Sequence, residues 1–156
     1  MVANMKSRFL PDDGVLDYEE FPFYWLTRVS SVYTLELERV LKGLGTDVPT
    51  RRVLLMLRLH GSATMSQLSA NTIIKLSTVT RIVQRMREAG LVETRSNTDD
   101  ARITDVSMTA KGEALVHEIQ NATQKTYVKA YRNLTEAQLT QLNETLKVIF
   151  RNFTDN

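Results

Sequence analysis

The sequence predicts a mainly α-helical, α+β domain of about six helices with one short β-hairpin. Three observations lead to this fold class. Apolar residues recur at the three- and four-residue spacing of amphipathic helices over most of the chain. Glycines, prolines and helix-capping residues divide that pattern into separate helices. One short segment in the second half instead reads as two strands around a turn-forming cluster, which is typical of a hairpin.

The composition bounds the class of protein. The chain has 156 residues, of which 42% are hydrophobic and 24% charged, as expected for one compact soluble domain. No apolar run approaches the roughly 20 residues that span a bilayer, and the first residues lack the apolar segment of a secretory signal. The absence of cysteine excludes disulfides and thiol nucleophiles. We therefore expect a cytoplasmic protein.

The charge is unevenly distributed along the chain. Residues 1–50 carry five Lys or Arg against eight Asp or Glu, residues 51–102 carry nine against four, and residues 103–156 carry six of each. A basic middle between acidic and neutral ends favours a nucleic-acid-binding module held by a scaffold. A solvated charged surface is the alternative.

The first half of the chain predicts an arm and two helices. Residues 1–17 are polar and contain a Pro-Asp-Asp-Gly turn, which indicates a flexible N-terminal arm. A long helix is expected from about Tyr18 to Leu44, where glycines end the apolar periodicity. A second helix begins near Asp47 and ends at Gly61.

The middle of the chain predicts a short helix, a turn and a longer helix. Thr64–Gln67 matches a capping box, which would begin a third helix. After a turn at 72–74, a fourth helix is expected from about Lys75 to Ala89 and is closed by Gly90. These are the parts of a helix-turn-helix.

The remainder predicts the hairpin and two more helices. Residues 91–94 and 102–108 read as strands around the turn-rich 96–101. Thr109 is a plausible N-cap for a fifth helix to about Asn133. A second capping box begins a sixth helix to about Phe153, with one apolar stripe of Leu139, Leu142, Leu146, Ile149, Phe150 and Phe153.

Apolar stripes on the first, fifth and sixth helices exceed what a small helix-and-hairpin core can cover. Pairing with a second copy would bury the remainder, so a two-fold homodimer is expected. A monomer that folds these helices onto its own core is the alternative.

The fourth helix has two distinct faces. At about 100° per residue, an apolar face should point to the core, made of Val79, Ile82, Val83 and Met86. The opposite face should be polar, with Ser77, Arg81, Gln84 and Glu88 flanked by Thr80 and Arg85. Hydroxyls and arginine can contact bases and phosphates in a major groove, although most polar helix faces are simply solvated.

The hairpin adds a second candidate contact. Arg95 and Arg102 lie on it, with Asp99 and Asp100 at the tip. An arginine at a hairpin tip suits a narrow minor groove, and an aspartate two residues earlier can hold it extended. A polar tip that only solvates is the alternative.

At this point the chain resembles the MarR family of bacterial winged-helix transcriptional regulators, over roughly Phe21 to Phe153. The resemblance rests on Ser77-Thr78-Val79-Thr80-Arg81, then Gly90-Leu91-Val92, Asp100-Ala101-Arg102 and Val106-Ser107-Met108-Thr109-Ala110-Lys111-Gly112. It implies a winged helix-turn-helix with long N- and C-terminal dimerisation helices. The expected division is an arm (1–17), an N-terminal dimerisation helix (18–47), a DNA-binding lobe (48–110) and C-terminal dimerisation helices (111–156), integrated in one domain.

The resemblance also implies roles for individual residues. Ser77, Thr78, Thr80 and Arg81 should enter the major groove of double-stranded operator DNA. Arg102 should reach the minor groove or its phosphates, with Asp100 orienting the hairpin, or wing. Further candidate contacts are Gln84, Arg85 and Arg95.

Two departures from the family pattern affect these expectations. Lys75 stands where many members have a serine that caps the recognition helix. The wing reads Asn97-Thr98-Asp99-Asp100-Ala101-Arg102, followed by Ile103 and Thr104, with fewer basic residues than in many relatives. We therefore expect weaker attraction to phosphate.

Family members usually repress nearby genes and release DNA when a small aromatic or anionic ligand binds between the dimer helices and the DNA-binding lobe. The candidate lining here is Tyr24, Trp25, Arg28, Tyr33, Arg51 and Arg52, because arginine beside aromatic rings can bind an aromatic carboxylate. A phenolic acid or its CoA thioester is the favoured ligand. Aromatic residues that only form an interface core are the alternative.

Catalysis and metal binding find no support in the sequence. His60 and His117 are far apart and form no zinc-binding motif. No cofactor and no enzymatic activity are expected. The sequence thus predicts a homodimeric, ligand-responsive DNA-binding repressor; a winged-helix dimer that serves protein interaction without reading bases is the other possibility.

Overall fold

The computed structural model describes Phe9 and residues 17–155. Apart from Phe9 and Asp17, the predicted N-terminal arm lies outside the described residues. The described part contains a 3-10 turn at Tyr18–Glu20 and then, in chain order, α1 (Pro22–Gly43), α2 (Val48–His60), β1 (Ser62–Thr64), α3 (Met65–Thr72), α4 (Leu76–Glu88), β2 (Val92–Ser96), β3 (Thr104–Met108), α5 (Ala110–Ala130) and α6 (Glu136–Thr154). The predicted class, mainly helical with six α-helices and a β-hairpin, is confirmed.

Three details differ from the sequence prediction. The first helix begins at Pro22 instead of Tyr18, because the residue before a proline avoids the helical region and Phe21 is extended. The fifth helix ends at Ala130, and Asn133 beyond it has a positive φ of 66°. The third difference is β1, a strand of three residues that is too short to show an alternating pattern.

The three strands form one antiparallel sheet in the order β1-β3-β2. In its register Ala63 of β1 and Thr94 of β2 both lie opposite Val106 of β3, which is fully buried. The short strand β1 thus ties the segment between α2 and α3 to the hairpin. It places the helix-turn-helix and the hairpin in a defined relation.

The chain divides into two compact units, Met1–Thr123 and Gln124–Asn156. The core of the first unit collects buried side chains from all its helices and from the sheet. Its largest fully buried members are Leu37, Leu41, Leu54, Leu57, Leu68, Met86 and Ile119. Each such side chain contributes about 1.5–3 kcal/mol on leaving water. The buried face of α4 packs against this core.

Side-chain caps fix where the helices begin. Asp47 accepts a hydrogen bond from the Thr50 amide at the start of α2. Both predicted capping boxes are present: Thr64 with Gln67 at α3, and Thr135 with Gln138 at α6. Each satisfies two backbone N–H groups that the helix itself leaves without partners.

The second unit comprises the end of α5 and all of α6. No residue of α6 is buried, and the unit exposes a series of large apolar side chains: Val128, Tyr131, Leu134, Leu142, Val148, Phe150 and Phe153. In the first unit α1 likewise exposes Trp25, Leu26, Val29, Val32 and Leu35. Exposed apolar faces of this kind mark interaction surfaces. Across residues 17–155, no helix combines the length and apolar character needed to cross a membrane.

Candidate nucleic-acid interface

The helix α4 has the two faces that its sequence predicts. Its buried residues are Val79, Ile82, Val83 and Met86, the four expected to face the core. Their burial fixes the helix by its apolar side. The opposite side is therefore turned to solvent.

The outward face of α4 is polar over its first three turns. Its exposed members are Ser77, Thr78, Thr80, Arg81 and Gln84. The Thr80 hydroxyl donates to the Leu76 carbonyl at 2.9 Å, and the Gln84 amide donates to Glu88 at 3.3 Å. The face thus presents hydroxyl groups, an amide and a guanidinium on one rigid element.

The N-terminus of α4 has no side-chain cap. Lys75 occupies the N-cap position without a side-chain hydrogen bond, and the first turn contains no acidic residue. The partial positive charge of the first backbone amides is therefore not offset by a carboxylate from that turn. A helix end of this kind favours a nearby phosphate.

The wing tip is organised by Asn97. Its side-chain oxygen accepts from the backbone amides of Asp99 and Asp100 at 2.9 and 3.2 Å, while its amide donates to Asp105 at 2.8 Å. This Asx-type turn closes the connection between β2 and β3. Asn97 was predicted to lie in the turn but not to organise it, although the Asn-x-Asp-Asp spacing indicates this role.

Arg102 is held at the tip by Asp100. The guanidinium donates to both carboxylate oxygens, from Nε at 3.0 Å and from Nη2 at 2.9 Å, and the Arg102 amide donates as well at 3.0 Å. These hydrogen bonds to Arg102 lower the pKa of Asp100 and raise that of Arg102. The hydrogen bonds to Asp100 fix the orientation of the Arg102 side chain, which nevertheless remains 90% exposed to solvent.

Two other candidate arginines have partners within the protein. Arg95 donates to Glu93 at 2.9 Å on the same strand. Arg85 extends from α4 to Asp47 at the start of α2, at 2.7 Å. Among the basic residues predicted to contact DNA, Arg81 lies on the exposed polar face of α4 and Arg102 lies at the exposed wing tip.

The C-terminal end of α4 is joined to the start of α5. Lys111 Nζ donates to the Ala89 carbonyl at 2.7 Å, and the Thr109 hydroxyl donates to the Gly90 carbonyl at 2.6 Å. Gly112 lies so close to Leu91 that an added Cβ would be 2.3 Å from the Leu91 carbonyl oxygen. These contacts of the Thr-Ala-Lys-Gly segment, which carries part of the family resemblance, were not predicted, because sequence spacing alone does not reveal them.

The predicted ligand-binding residues are only partly brought together. Arg28 lies over the Tyr24 ring at 5.4 Å, and Tyr24 meets Trp25 edge-on at 5.3 Å. Trp25 is oriented by its indole N–H, which donates to the Glu19 carbonyl at 2.8 Å. Tyr33 instead packs against the hydrophobic core.

The remaining two, Arg51 and Arg52, lie on the first turns of α2, half-buried and exposed respectively. Within the described part of the chain, no group of three or more His, Cys, Asp or Glu side chains is arranged to hold a metal ion.

Comparison with known proteins identifies the family. Residues 44–103, which cover the helix-turn-helix and most of the wing, match the family model described as MarR family. The HTH-type transcriptional repressor IacR of Pseudomonas putida is 44% identical over 134 residues, which cover 86% of this chain and 80% of that protein.

Solved structures share the fold. A mutant MarR from E. coli complexed with operator DNA superposes with a TM-score of 0.74 at 24% identity, covering 87% of this chain and 99% of that one. NadR in complex with 4-hydroxyphenylacetate gives a TM-score of 0.74 at 19% identity, covering 90% and 95%. Together with the family match and the identity to IacR, the helix-turn-helix and its wing show that this chain belongs to the MarR family of winged-helix transcriptional regulators.

Proposed function

We propose that the chain is a homodimeric, cytoplasmic repressor that binds a pseudo-palindromic DNA operator and leaves it when a small aromatic or anionic ligand binds. The proposal rests on the exposed polar face of α4 together with a wing arginine whose orientation is fixed. The relative IacR is named a transcriptional repressor, and the structural neighbour MarR is complexed with operator DNA.

The outward face of α4 is suited to a major groove. A helix fits this groove, where each base pair presents a distinct pattern of donors, acceptors and methyl groups. Arg81 can donate two hydrogen bonds to a guanine, a contact worth about 1–3 kcal/mol of discrimination. Ser77, Thr78, Thr80 and Gln84 supply shorter groups for bases or phosphates, and the uncapped start of α4 suits a phosphate.

The wing is suited to the adjacent minor groove or its phosphates. Arg102 is held by Asp100 and is exposed, and a side chain that enters a narrow, electronegative groove must be accessible in this way. Its intramolecular partner reduces the cost of ordering a long side chain on binding. With Asp99 and Asp100 nearby, the tip adds little net positive charge, so shape and groove contacts gain weight over phosphate attraction.

The apolar faces of α1, α5 and α6 supply the dimer interface in this proposal. A two-fold dimer presents two copies of α4, and operators for such dimers have half-sites about 34–36 Å apart. The operator should therefore be pseudo-palindromic. A monomer would leave the apolar residues of α1 and α6 in water.

The test is selection of bound duplexes from a random-sequence library, followed by titration at increasing salt. We expect one enriched pseudo-palindrome, and an affinity that falls by orders of magnitude between roughly 50 and 200 mM salt. If selected and random duplexes bind equally even at low salt, the repressor proposal is wrong. That result would favour a winged-helix dimer used for protein interaction.

The effector proposal rests on Tyr24, Trp25 and Arg28. Their arrangement offers aromatic surface beside a cation, which suits a carboxylate attached to a ring. The structural neighbour NadR is in complex with 4-hydroxyphenylacetate. A phenolic acid or its CoA thioester is the ligand class proposed here, with Arg51 and Arg52 as further candidate cations.

The effector is tested by adding 4-hydroxyphenylacetate, related phenolic acids and their CoA thioesters to the protein–operator complex. We expect release by at least one compound, and its loss in Arg28→Ala. Arg39→Ala is the control, because Arg39 is also an exposed arginine of α1. If no compound releases the DNA, or if Arg28→Ala responds like wild type, the aromatic residues serve only as packing.

A further inference from the structure

Arg85 differs from the other polar residues of α4 in its partner. Its Nη2 donates to Asp47 Oδ2 at 2.7 Å and lies 3.5 Å from the hydroxyl of the buried Thr50. The other carboxylate oxygen of Asp47 accepts from the Thr50 amide at 2.8 Å. One carboxylate therefore both begins α2 and binds α4, although 38 residues separate Asp47 from Arg85 in sequence.

The Asp47–Arg85 pair borders a cleft between α2 and the last turn of α4. The cleft has a volume of about 270 Å³ and a lining of Gly45, Thr46, Asp47, Thr50, Arg85, Met86, Ala89 and Leu91. An open cleft leaves this side of the helix without close packing from α2. Arg85 of α4 reaches Asp47 at the start of α2 at the border of this cleft.

The buried apolar side chains of α4 share the hydrophobic core with those of α2. Hydrophobic contacts are non-directional, whereas a charge-assisted hydrogen bond has a preferred geometry. The pair is thus a directional contact between the recognition helix and the start of α2. Functional groups are presented productively only when their element is held within roughly 0.5 Å and 10–20°.

We propose, on the basis of the proposed DNA-binding function, that Arg85 is a positioning residue. Through Asp47 it fixes the orientation of α4 against α2, so that Arg81 and Ser77 meet the groove correctly. This replaces the expectation that Arg85 itself contacts DNA. Operator affinity then depends on Asp47, an acidic residue, as much as on Arg85.

The test compares Asp47→Asn, Arg85→Gln and the double variant. Asparagine caps a helix about as well as aspartate, so Asp47→Asn keeps the start of α2 while removing the charge. Arg87→Gln is the matched control, since it removes the same charge from the last turn of the same helix. Thermal unfolding of each variant shows that the fold is retained.

A positioning role of Arg85 and a direct phosphate contact predict different effects of Asp47→Asn on operator binding. If Arg85 positions the helix, Asp47→Asn and Arg85→Gln each weaken binding to the selected operator about two- to fivefold, the range for an exposed ion pair. The double variant is then no weaker than either single variant. Hydrogen exchange of α4 amides in the free protein rises in both variants but not in Arg87→Gln.

If Arg85 instead binds a phosphate, Asp47→Asn frees a cation and removes a negative charge, so it should bind DNA as well as wild type or more tightly. Arg85→Gln alone would then reduce the salt dependence of binding by about one phosphate contact. Either of these two results would overturn the positioning role. So would losses of operator affinity that add up in the double variant, or an unchanged hydrogen exchange of the α4 amides. A wild-type protein without sequence preference would instead refute the proposed function, and this inference with it.

Discussion

Asp100 and Arg102 acquire a defined geometry on an exposed turn, where charged side chains usually move freely. Three hydrogen bonds join them, and Asn97 fixes the turn on which both lie. The sequence spacing predicted this pairing, because two residues is the distance over which an aspartate can bind the following backbone amide. The Asn97 contribution was not predicted: its bonds to the amides of Asp99 and Asp100 are local, and only its bond to Asp105 depends on the closure of β2 onto β3.

This pairing predicts a pH dependence of the wing. The folded pKa of Asp100 is lowered by Arg102, so the pair is intact at neutral pH and is lost as the pH falls through that pKa. In an NMR titration, we expect the Asp100 carboxyl to titrate below the ordinary aspartate range in wild type. In Arg102→Ala the pKa of Asp100 should rise towards that range, although the backbone amide of residue 102 still donates to the carboxylate and keeps it lowered in part.

Arg95→Ala serves as the control for this titration, because Arg95 binds Glu93 instead of Asp100. The Asp100 pKa should not change in this variant. An Asp100 carboxyl that titrates normally in the wild-type protein would show that the wing pair does not form in solution.

Individual elements are predicted well from the sequence when their pattern is local. The apolar face of α4 and both capping boxes follow from helical spacing and capping chemistry, and the structure confirms them. The strand β1 and the contacts of Lys111 with Ala89 were not predictable in this way. Both depend on segments far apart in sequence that the fold brings together.

Gly112 tests the junction between α4 and α5. An alanine Cβ there would lie 2.3 Å from the Leu91 carbonyl oxygen and 2.6 Å from Met108 Cγ. We expect Gly112→Ala to lower the free energy of unfolding by about 1–3 kcal/mol, as overpacking does, measured by urea denaturation.

Gly43→Ala is the matched control, because its Cβ would meet nothing within 4 Å. It should leave the stability unchanged or raise it slightly, since alanine favours a helix more than glycine. Equal effects of the two substitutions would mean that α5 does not approach Leu91 this closely.

At the scale of the whole molecule, charge and apolar surface have separate places. The basic excess lies in residues 51–102, which contain α4 and most of the wing, while most of the large exposed apolar side chains of the described residues lie on α1 and in residues 124–155. The sequence predicted this division because both properties are sums over many residues. Contacts among the residues proposed to bind a ligand were less predictable: Tyr33 packs against the core, whereas Tyr24 and Arg28 do pair.

The apolar face of α6 predicts self-association. Leu142 is 51% exposed, and a glutamate there would place a charge in the proposed dimer interface. We expect Leu142→Glu to shift the protein from dimer to monomer in sedimentation velocity and to weaken operator binding strongly. The neighbouring Gln141→Glu adds the same charge at a polar position, and it should remain dimeric. If Leu142→Glu remains dimeric with normal operator binding, this part of α6 lies outside the interface.

The central claim, that α4 reads DNA sequence, is tested most directly by the ratio of affinities for the selected operator and a random duplex. We predict that Arg81→Ala lowers this ratio about five- to 150-fold, as expected for a lost base contact of 1–3 kcal/mol, while its affinity for random duplex falls only slightly. Arg87→Ala, which removes the same charge from the same helix, should keep the wild-type ratio. An unchanged ratio in Arg81→Ala, or an equal loss in both variants, would contradict sequence recognition by this face of α4.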